Sequence, residues 1–343
     1  MVTVGPRNGA TAHGTTAAPS GVRTTAGLGP ITTATVLGGR GGLVRTAIVL
    51  AATIAVLASL AYWVGTTDIA GVMRLLTPGH LVAALGLTLI LPVAHALRLQ
   101  VALAATGSNL GFKRSLRLTM GVWPISSLTP AKSGDLIKAY YLRDQISPTV
   151  TAGALLAERA IDLAVWGALS LGASLLVQQI PTAIFSAGVF GGILVVLFVL
   201  APRADRLPIS GKWRDRVHLL LASTRGLARR PGLLAALIGL TLVNCLVTVL
   251  VTSILYAGVG ASVPLTAVAA SVLPAMFAGL LPFTLAGMGT RDSVMIALFA
   301  PYASGAQSLG AGLLYAFFFR WLLSLLGLPF LRQLASEAPP KTA

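Results

Sequence analysis

Long apolar stretches separated by short polar segments dominate the pattern of this chain. Each stretch is near or above the roughly 20 residues that a helix needs to cross a bilayer. The stretches cover residues 46–65, 79–104, 149–178, 182–201, 232–258 and 306–331. This pattern predicts an all-α polytopic membrane protein with about six spanning helices.

Two further regions, 114–145 and 264–303, are apolar but interrupted. The predicted breaks lie at Trp123-Pro124 and Thr129-Pro130 in the first region, and at Leu281-Pro282 and Gly287-Met288-Gly289 in the second. Because the pieces are too short to cross, we predict two broken re-entrant hairpins, each entering and leaving on one side. Irregular backbone at membrane depth must be buried in protein or line a wet cavity, so the hairpin tips should lie inside the protein.

The same arrangement occurs twice along the chain. Residues 80–178 and 232–331 each contain a spanning helix, a broken hairpin and a second spanning helix, with Pro130 and Pro282 at matching positions. With six spans, the two hairpins enter from opposite sides, which is typical of an inverted-topology repeat. The alternative is that two proline-broken hairpins recur by chance.

Composition agrees with a membrane location. Of the 343 residues, 55% are hydrophobic and 10% are charged, against roughly 25% charged in soluble domains. The net charge of +16 is of a kind that also occurs in nucleic-acid-binding proteins. Here the positive charge lies between apolar runs, so we predict no nucleic-acid partner.

The basic residues predict the orientation. They concentrate in the N-terminal tail, in the loop at 105–118 and in the loop at 202–231, which carries eight Lys or Arg and two Asp. All three segments fall on one side if both broken regions are hairpins. Positive charge favours the cytoplasmic side, so we predict cytoplasmic N- and C-termini in the inner or plasma membrane.

The tail composition predicts disorder before the first apolar run. The predicted organisation is a disordered tail at 1–42, a membrane domain at 43–335 and a C-terminal tail at 336–343. The first segment contains many Gly, Thr, Ala and Pro residues and cannot bury enough apolar surface to fold. Arg40 and Arg45 before the run at 46–65 resemble a signal peptide, with Ser59 and Ala61 as small residues at the cleavage site. The length of the run favours an uncleaved first helix.

Cysteine and histidine indicate no metal or disulfide chemistry. Cys245 is the single cysteine and lies in an apolar run, which excludes an intrachain disulfide framework. The four histidines are scattered without metal-ligand spacing. We therefore predict no cofactor, no metal site and no catalytic residue.

Ionisable residues within the apolar regions are the candidate site. They are Lys132, Asp135, Glu158, Arg159, Asp162, Arg291, Asp292 and Arg320. An isolated charge costs roughly 2.5–3.5 kcal/mol or more at the bilayer centre, so these residues should face inward and pair. Glu158 and Asp162 share a helix face, and Arg159 is three residues before Asp162 and can pair with it. Lys132, Asp135 and Lys138 recur every three residues and also share a face.

This set favours a polar cavity that accepts an anionic head group. Arginine suits phosphate because its donors form a planar fork. The hairpin tips would add helix N-termini and close backbone approach. The predicted tip residues are Pro130, Gly134, Pro282, Gly287 and Gly289. The alternative is a buried salt-bridge network that only fixes helix packing.

Three segments carry a family resemblance. They are Pro130-Ala-Lys-Ser-Gly134-Asp135-Leu-Ile-Lys138, Glu158-Arg159-Ala-Ile-Asp162 and Leu281-Pro282-Phe-Thr-Leu-Ala-Gly287-Met-Gly289-Thr-Arg291-Asp292. Together they resemble the transmembrane, flippase-like region of lysylphosphatidylglycerol synthases over roughly residues 45–335. Lys132 and Asp135 stand where the family usually has arginine and glutamate. Ala286-Gly287 and Asp292 stand where it usually has two glycines and a glutamate.

The resemblance implies movement of aminoacylated or otherwise modified phospholipids between leaflets. Relatives of this kind also occur in lipid-linked glycan assembly. In full-length relatives the synthesis resides in a soluble C-terminal domain, and this chain ends about a dozen residues after its last predicted span. We therefore expect a stand-alone member that is not an enzyme.

The leading hypothesis is a flippase or transporter whose partners are membrane lipids, either anionic or aminoacylated phospholipids or polyprenyl-linked lipids. A first alternative is a membrane enzyme or accessory in lipid-linked glycan assembly, with Glu158, Asp162 and Asp292 as base or metal ligands. A second alternative is a non-transporting scaffold for a separate lipid-modifying synthase or glycosyltransferase.

Overall fold

The computed structural model describes residues 40–129, 134–200, 226–227, 229–279, 284 and 287–337. Every regular element within these residues is helical. The first eight helices are α1 (Arg40–Val64), α2 (Thr66–Met73), α3 (Pro78–Thr88), α4 (Ile90–Ala104), α5 (Phe112–Leu128), α6 (Ile137–Tyr141), α7 (Pro148–Leu176) and α8 (Ile180–Leu194). The others are α9 (Pro231–Gly258), α10 (Leu265–Ala278), α11 (Thr290–Phe299), α12 (Gly305–Ala316) and α13 (Leu323–Glu337). The segments Val195–Leu200 and Phe317–Leu322 form π-helical turns.

The prediction of an all-α, multi-pass membrane protein is confirmed. Five stretches are long and apolar enough to cross a bilayer. They are Pro78–Ala104, Pro148–Leu176, Ile180–Leu197, Pro231–Gly258 and Gly305–Ser336. The sixth predicted span, 46–65, is helical within α1, and the part of α1 with described side chains, Leu50–Val64, is shorter than a full crossing. The count of six therefore stays a prediction.

The first interrupted region has one of its two predicted breaks. The predicted break at Trp123-Pro124 is wrong, because α5 continues through Pro124. Proline has no N–H, so the carbonyl of Met120 loses its usual partner in the helix, and membrane helices tolerate such a site where a neighbour packs against it. Here α13 packs along α5, with Gly327 directly against the Met120 carbonyl oxygen. The predicted break near Thr129-Pro130 is confirmed, because α5 ends at Leu128.

Replacement of Gly327 by alanine should separate α13 from α5. A Cβ at this position would collide with the Met120 carbonyl oxygen and lie 3.0 Å from Cδ of Pro124. Overpacking of this kind costs roughly 1–3 kcal/mol, so we expect a lower thermal unfolding temperature in detergent. The matched control is Gly239→Ala in α9, where an added Cβ would meet no atom within 4 Å. Equal unfolding temperatures for the two variants would contradict this close packing.

The second interrupted region breaks where the glycines predict. Helix α10 ends at Ala278 and α11 begins at Thr290, with Gly287 and Gly289 at φ of +75° and +93° between them. Only glycine adopts such values without strain. The Leu281-Pro282 break lies outside the described residues, as do Pro130 and Lys132 of the first tip.

Both blocks of the predicted repeat contain the same order of elements. Helices α4, α5, α6 and α7 correspond to α9, α10, α11 and α12. The second arms differ, since α6 has 5 residues and α11 has 10. The inverted relation of the blocks and the re-entrant course of the broken regions stay predictions. Most of the predicted tails and of the basic loop at 202–231 lies outside the described residues.

Helix α7 positions the interior. It contacts α4 of its own block and α9 and α10 of the other, as well as α8, so it lies where the two blocks meet. Helix α9 in turn packs on α4, and α11 packs between α10 and α12. The charged residues that the sequence analysis found on α7 and α11 therefore point into space shared by both blocks.

Candidate functional site

A cavity of about 310 Å³ lies where the two blocks meet. Its polar lining consists of His95, Arg159, Asp162, Asn244, Thr248, Arg291 and Arg320, and its aromatic lining of Trp123, Trp166, Phe277, Tyr315 and Phe319. Arg159, Arg291 and Arg320, predicted to share a cavity, all line this one. A smaller cavity of about 30 Å³ shares Arg159 and Arg320 with it and reaches Asp135 and Lys138.

The acidic pair on α7 forms ion pairs with an arginine from α4. The Nη2 atom of Arg98 lies 3.1 Å from Oε1 of Glu158 and also forms an ion pair with Oδ1 of Asp162. Arg98 is fully buried. The hydroxyl of Thr241 on α9 donates to Oδ1 of Asp162 over 3.3 Å. The predicted shared face of Glu158 and Asp162 is therefore present, and its main cation is Arg98.

The sequence analysis missed Arg98. This arginine lies inside the apolar stretch 79–104, so the same reasoning that selected Arg320 could have found it. The error arose because the eight selected residues were balanced in charge and their set looked complete. Lys138, noted only for its spacing, also belongs to the charged interior, and Asn244 and Thr248 were not considered.

Arg159 joins the first broken region to α7. Its Nη2 atom forms an ion pair with Oδ2 of Asp135, while its Nη1 atom lies 3.6 Å from Oδ2 of Asp162. Asp135 also accepts a hydrogen bond of 2.8 Å from the Ser126 hydroxyl and lies 3.4 Å from Nζ of Lys138. The side chain of Arg159 remains 40% exposed, so part of its guanidinium faces the cavity.

Gly134 shows the close backbone approach that was predicted for it. A Cβ at this position would lie 2.8 Å from Oγ1 of Thr129 and 2.9 Å from the backbone nitrogen of Ser126. The Gly134 N–H donates to Oγ1 of Thr129 over 2.9 Å. The segment after the first tip is thus held against the end of α5.

At the second tip, Arg291 and Asp292 bind each other. Nε and Nη2 of Arg291 lie 3.0 and 2.5 Å from Oδ1 of Asp292, and Nη2 also donates to the Gly312 carbonyl over 2.8 Å. The Gly289 N–H donates to Oδ2 of Asp292 over 2.8 Å. This N–H at the start of α11, predicted to be available for phosphate, is therefore already bound by Asp292.

Aromatic rings pack against Arg291. The guanidinium carbon of Arg291 lies 4.6 Å from the centroid of the Tyr315 ring, within the range of a cation–π interaction. Tyr315 in turn stacks on Phe319, with centroids 4.2 Å apart and an interplanar angle of 12°. Arg291 is buried, so these contacts fix its position in the cavity wall.

Arg320 differs from the other arginines. The prediction that it pairs with an acid is wrong for the part of the chain that the structure describes, where no carboxylate forms an ion pair with it. The physical reason is that Arg98 and Lys138, which the prediction did not count, take up acidic charge together with Arg159 and Arg291. Arg320 lines both cavities instead.

The acids of the enzyme alternative have arginine partners. Glu158 and Asp162 bind Arg98, and Asp292 binds Arg291. Across the described ranges, no three His, Cys, Asp or Glu residues form a group that could hold a metal ion. The binding roles of the predicted site residues stay predictions, and Lys132, Pro130 and Pro282 lie outside the described residues.

Comparison with known families identifies the chain. The family model of the lysylphosphatidylglycerol synthase TM region matches residues 46–327, which contain both broken regions, α7 and the cavity. No curated protein matches the chain. Because the match covers most of the sequence and all of the charged interior, this chain belongs to the lysylphosphatidylglycerol synthase transmembrane region family.

Proposed function

We propose that this protein is a lipid flippase or transporter of the inner or plasma membrane and not an enzyme. The polar head group of a lipid occupies the central cavity while its acyl chains stay in the bilayer. The observation that carries this proposal is that Arg159, Arg291 and Arg320 line one cavity between the two blocks. Arginines in such a setting are expensive, and intramembrane charges commonly belong to substrate pathways.

The surroundings of the cavity support the proposal. Its arginines come from α7, from the start of α11 and from the π-helical turn Phe317–Leu322. All three elements follow, lie in or contact a broken region. Substrate sites of transporters commonly lie at discontinuous helices between two repeats. Movement of the broken segments relative to α7 would change the side from which the head group enters.

The ion pair between Asp135 and Arg159 is the place to test this proposal. Arg159→Gln alone would leave Asp135 with one fewer cation, so the test variant is Asp135→Asn with Arg159→Gln, which keeps the net charge. In vesicles that contain fluorescent phosphatidylglycerol, we expect the wild-type protein to speed lipid movement between leaflets. The double variant should move lipid at least about tenfold more slowly than the wild type, which corresponds to an activation free energy higher by about 1.4 kcal/mol.

Two comparisons make the result specific. Arg332→Gln changes an exposed arginine of α13 and should leave the rate unchanged. The thermal unfolding temperature of each variant shows whether the protein is still folded. Wild-type rates in a folded double variant, or no lipid movement by the wild-type protein, would contradict the proposal.

A further inference from the structure

We propose that Arg320 is the residue that recognises phosphate, and that the cavity selects a compact lipid head group with one net negative charge over a cationic aminoacylated one. This inference rests on the proposed function and narrows its substrate class. It comes from the charges, the volume and the lining of the cavity, which are argued in turn.

The described charged residues of the interior include one more cation than acids. The described cations that line a cavity or pair with a predicted site acid are Arg98, Lys138, Arg159, Arg291 and Arg320, and those acids are Asp135, Glu158, Asp162 and Asp292. Five positive and four negative charges give a net charge of +1. The other acids of the chain are Asp68, Asp144, Asp205, Asp215 and Glu337, and none of the described ones lines either cavity. Residues 130–133 contain Lys132 and no acid, so they supply no negative charge.

Each acid of this set already binds a cation other than Arg320. Asp135 binds Arg159 and Lys138, and Asp292 binds Arg291. Glu158 and Asp162 share Arg98. A head-group phosphate would therefore reach Arg320 without displacing a carboxylate, whereas at Arg159 or Arg291 it would compete with one. Hydrogen bonds between a guanidinium and a phosphate are charge-assisted and frequently bidentate.

The backbone around Arg320 is irregular in a way that suits a binding site. Arg320 lies in the π-helical turn Phe317–Leu322, and single π-helical turns occur frequently at functional sites. Two side chains donate hydrogen bonds to carbonyls of this turn. Nε1 of Trp123 donates to the Phe319 carbonyl over 3.3 Å, and the Ser324 hydroxyl donates to the Arg320 carbonyl over 2.6 Å. These contacts hold the turn in place, and the turn positions Arg320 at the border of both cavities.

The volume limits the head group. At roughly 30 Å³ per water molecule, a cavity of about 310 Å³ holds about ten waters. Small-molecule sites span roughly 300–1,000 Å³, so this cavity is at the lower end. A phosphodiester with a small polyol fits such a space.

The lining disfavours an added ammonium group. Asp162 is the one carboxylate that lines the larger cavity within the described residues. It already binds Arg98 and the Thr241 hydroxyl. An aminoacylated head group with a net positive charge would enter a space with a net positive charge and find no unpaired acceptor carboxylate. A singly anionic head group would neutralise Arg320 instead.

Binding to the purified full chain in detergent tests this inference. The probes are phosphatidylglycerol, lysylphosphatidylglycerol and phosphatidylcholine, with glycerol phosphate and inorganic phosphate as soluble sources of the same chemistry. We expect phosphatidylglycerol to bind more tightly than every other probe. Arg320→Gln should weaken its binding roughly 10- to 100-fold, as for the loss of hydrogen bonds to a charged group, and leave phosphatidylcholine unchanged. Arg320→Lys should retain an intermediate affinity, because it keeps the charge without the fork.

The unfolding temperature supplies a second readout. Arg320 forms no ion pair with a described carboxylate, so its removal should leave stability unchanged or raise it, and Arg320→Gln should not unfold the protein. Unchanged phosphatidylglycerol affinity in Arg320→Gln, tighter binding of lysylphosphatidylglycerol by the wild type, or equally tight binding of glycerol phosphate would overturn the inference. Arg320-dependent binding of phosphatidylglycerol without lipid movement in vesicles would support it and contradict only the proposed flippase function.

Discussion

Arg98→Gln is expected to destabilise this protein by roughly 3–5 kcal/mol, the usual cost of removing one partner from a buried ion pair. Arg98 is fully buried on α4 and contacts both Glu158 and Asp162 on α7. Glutamine would leave two carboxylates together without their main cation, and like charges repel strongly where water is excluded. We expect a large fall in the thermal unfolding temperature in detergent and a low yield of folded protein.

A rescue that removes all three charged side chains of this cluster separates this effect from simple loss of packing. The triple variant Arg98→Met, Glu158→Gln and Asp162→Asn removes both signs of charge and should recover most of the stability, as apolar or neutral replacements of buried pairs often do. Arg332→Gln, at an exposed arginine, should leave the unfolding temperature unchanged. A stable Arg98→Gln variant, or a triple variant as unstable as the single one, would show that the pair does not hold α4 against α7.

Gly287→Ala should have the second large effect, on both stability and lipid movement. Gly287 has φ of +75°, and a Cβ there would lie 2.5 Å from the carbonyl oxygen of Gly279 and 2.9 Å from its carbonyl carbon. The left-handed backbone costs roughly 1–2 kcal/mol for a residue with a Cβ, and the collision is with backbone that cannot rotate away. We expect a loss of about 2–5 kcal/mol. The start of α11 should shift, which would displace Arg291 from the cavity wall.

The measurements for this variant are the unfolding temperature and the rate of lipid movement in vesicles. Gly239→Ala is the control, since its added Cβ would meet open space and alanine is the better helix former. Both readouts should be unchanged in Gly239→Ala and reduced in Gly287→Ala. Normal lipid movement by a folded Gly287→Ala variant would mean that the turn before α11 is not required for transport.

The interior arginines thus fall into two groups with opposite expected behaviour. Arg98 and Arg291 are buried and bound to carboxylates, so their removal should damage the fold. Arg320 lines the cavity without a carboxylate in the described residues, so its removal should damage recognition and spare the fold. Arg159 is intermediate, because it holds Asp135 while 40% of its side chain stays exposed. The salt-bridge network and the cavity, posed as alternatives in the sequence analysis, share Arg159 and Arg291, whereas Arg320 lines the cavity without an ion pair to a described carboxylate.

The two aspartates beside the broken regions, Asp135 and Asp292, reach their partners. Asp135 contacts Arg159 and Ser126. Asp292 likewise contacts Arg291 and the Gly289 N–H. Gly312 provides the space for Asp292, since a Cβ at position 312 would collide with Oδ1 of Asp292. The short side chain of Asp292 thus accompanies a close approach of α12 to the start of α11.

The sequence by itself determined the class of protein and the position of most helices. Apolar runs of bilayer length, the end of α5 before Pro130 and the glycine turn at 287–289 are local properties, and local backbone preferences produce them. The cost of charge in lipid also required the ionisable residues to face inward. Only the tertiary structure decided which charges pair. Arg98 contacts acids 60 or more positions away, and Gly327 packs against the carbonyl that Pro124 leaves without a helical partner. Arg320 forms no ion pair with a carboxylate of the described residues. Such contacts depend on how α4, α5, α7 and α13 pack, and periodicity within one segment does not specify that packing.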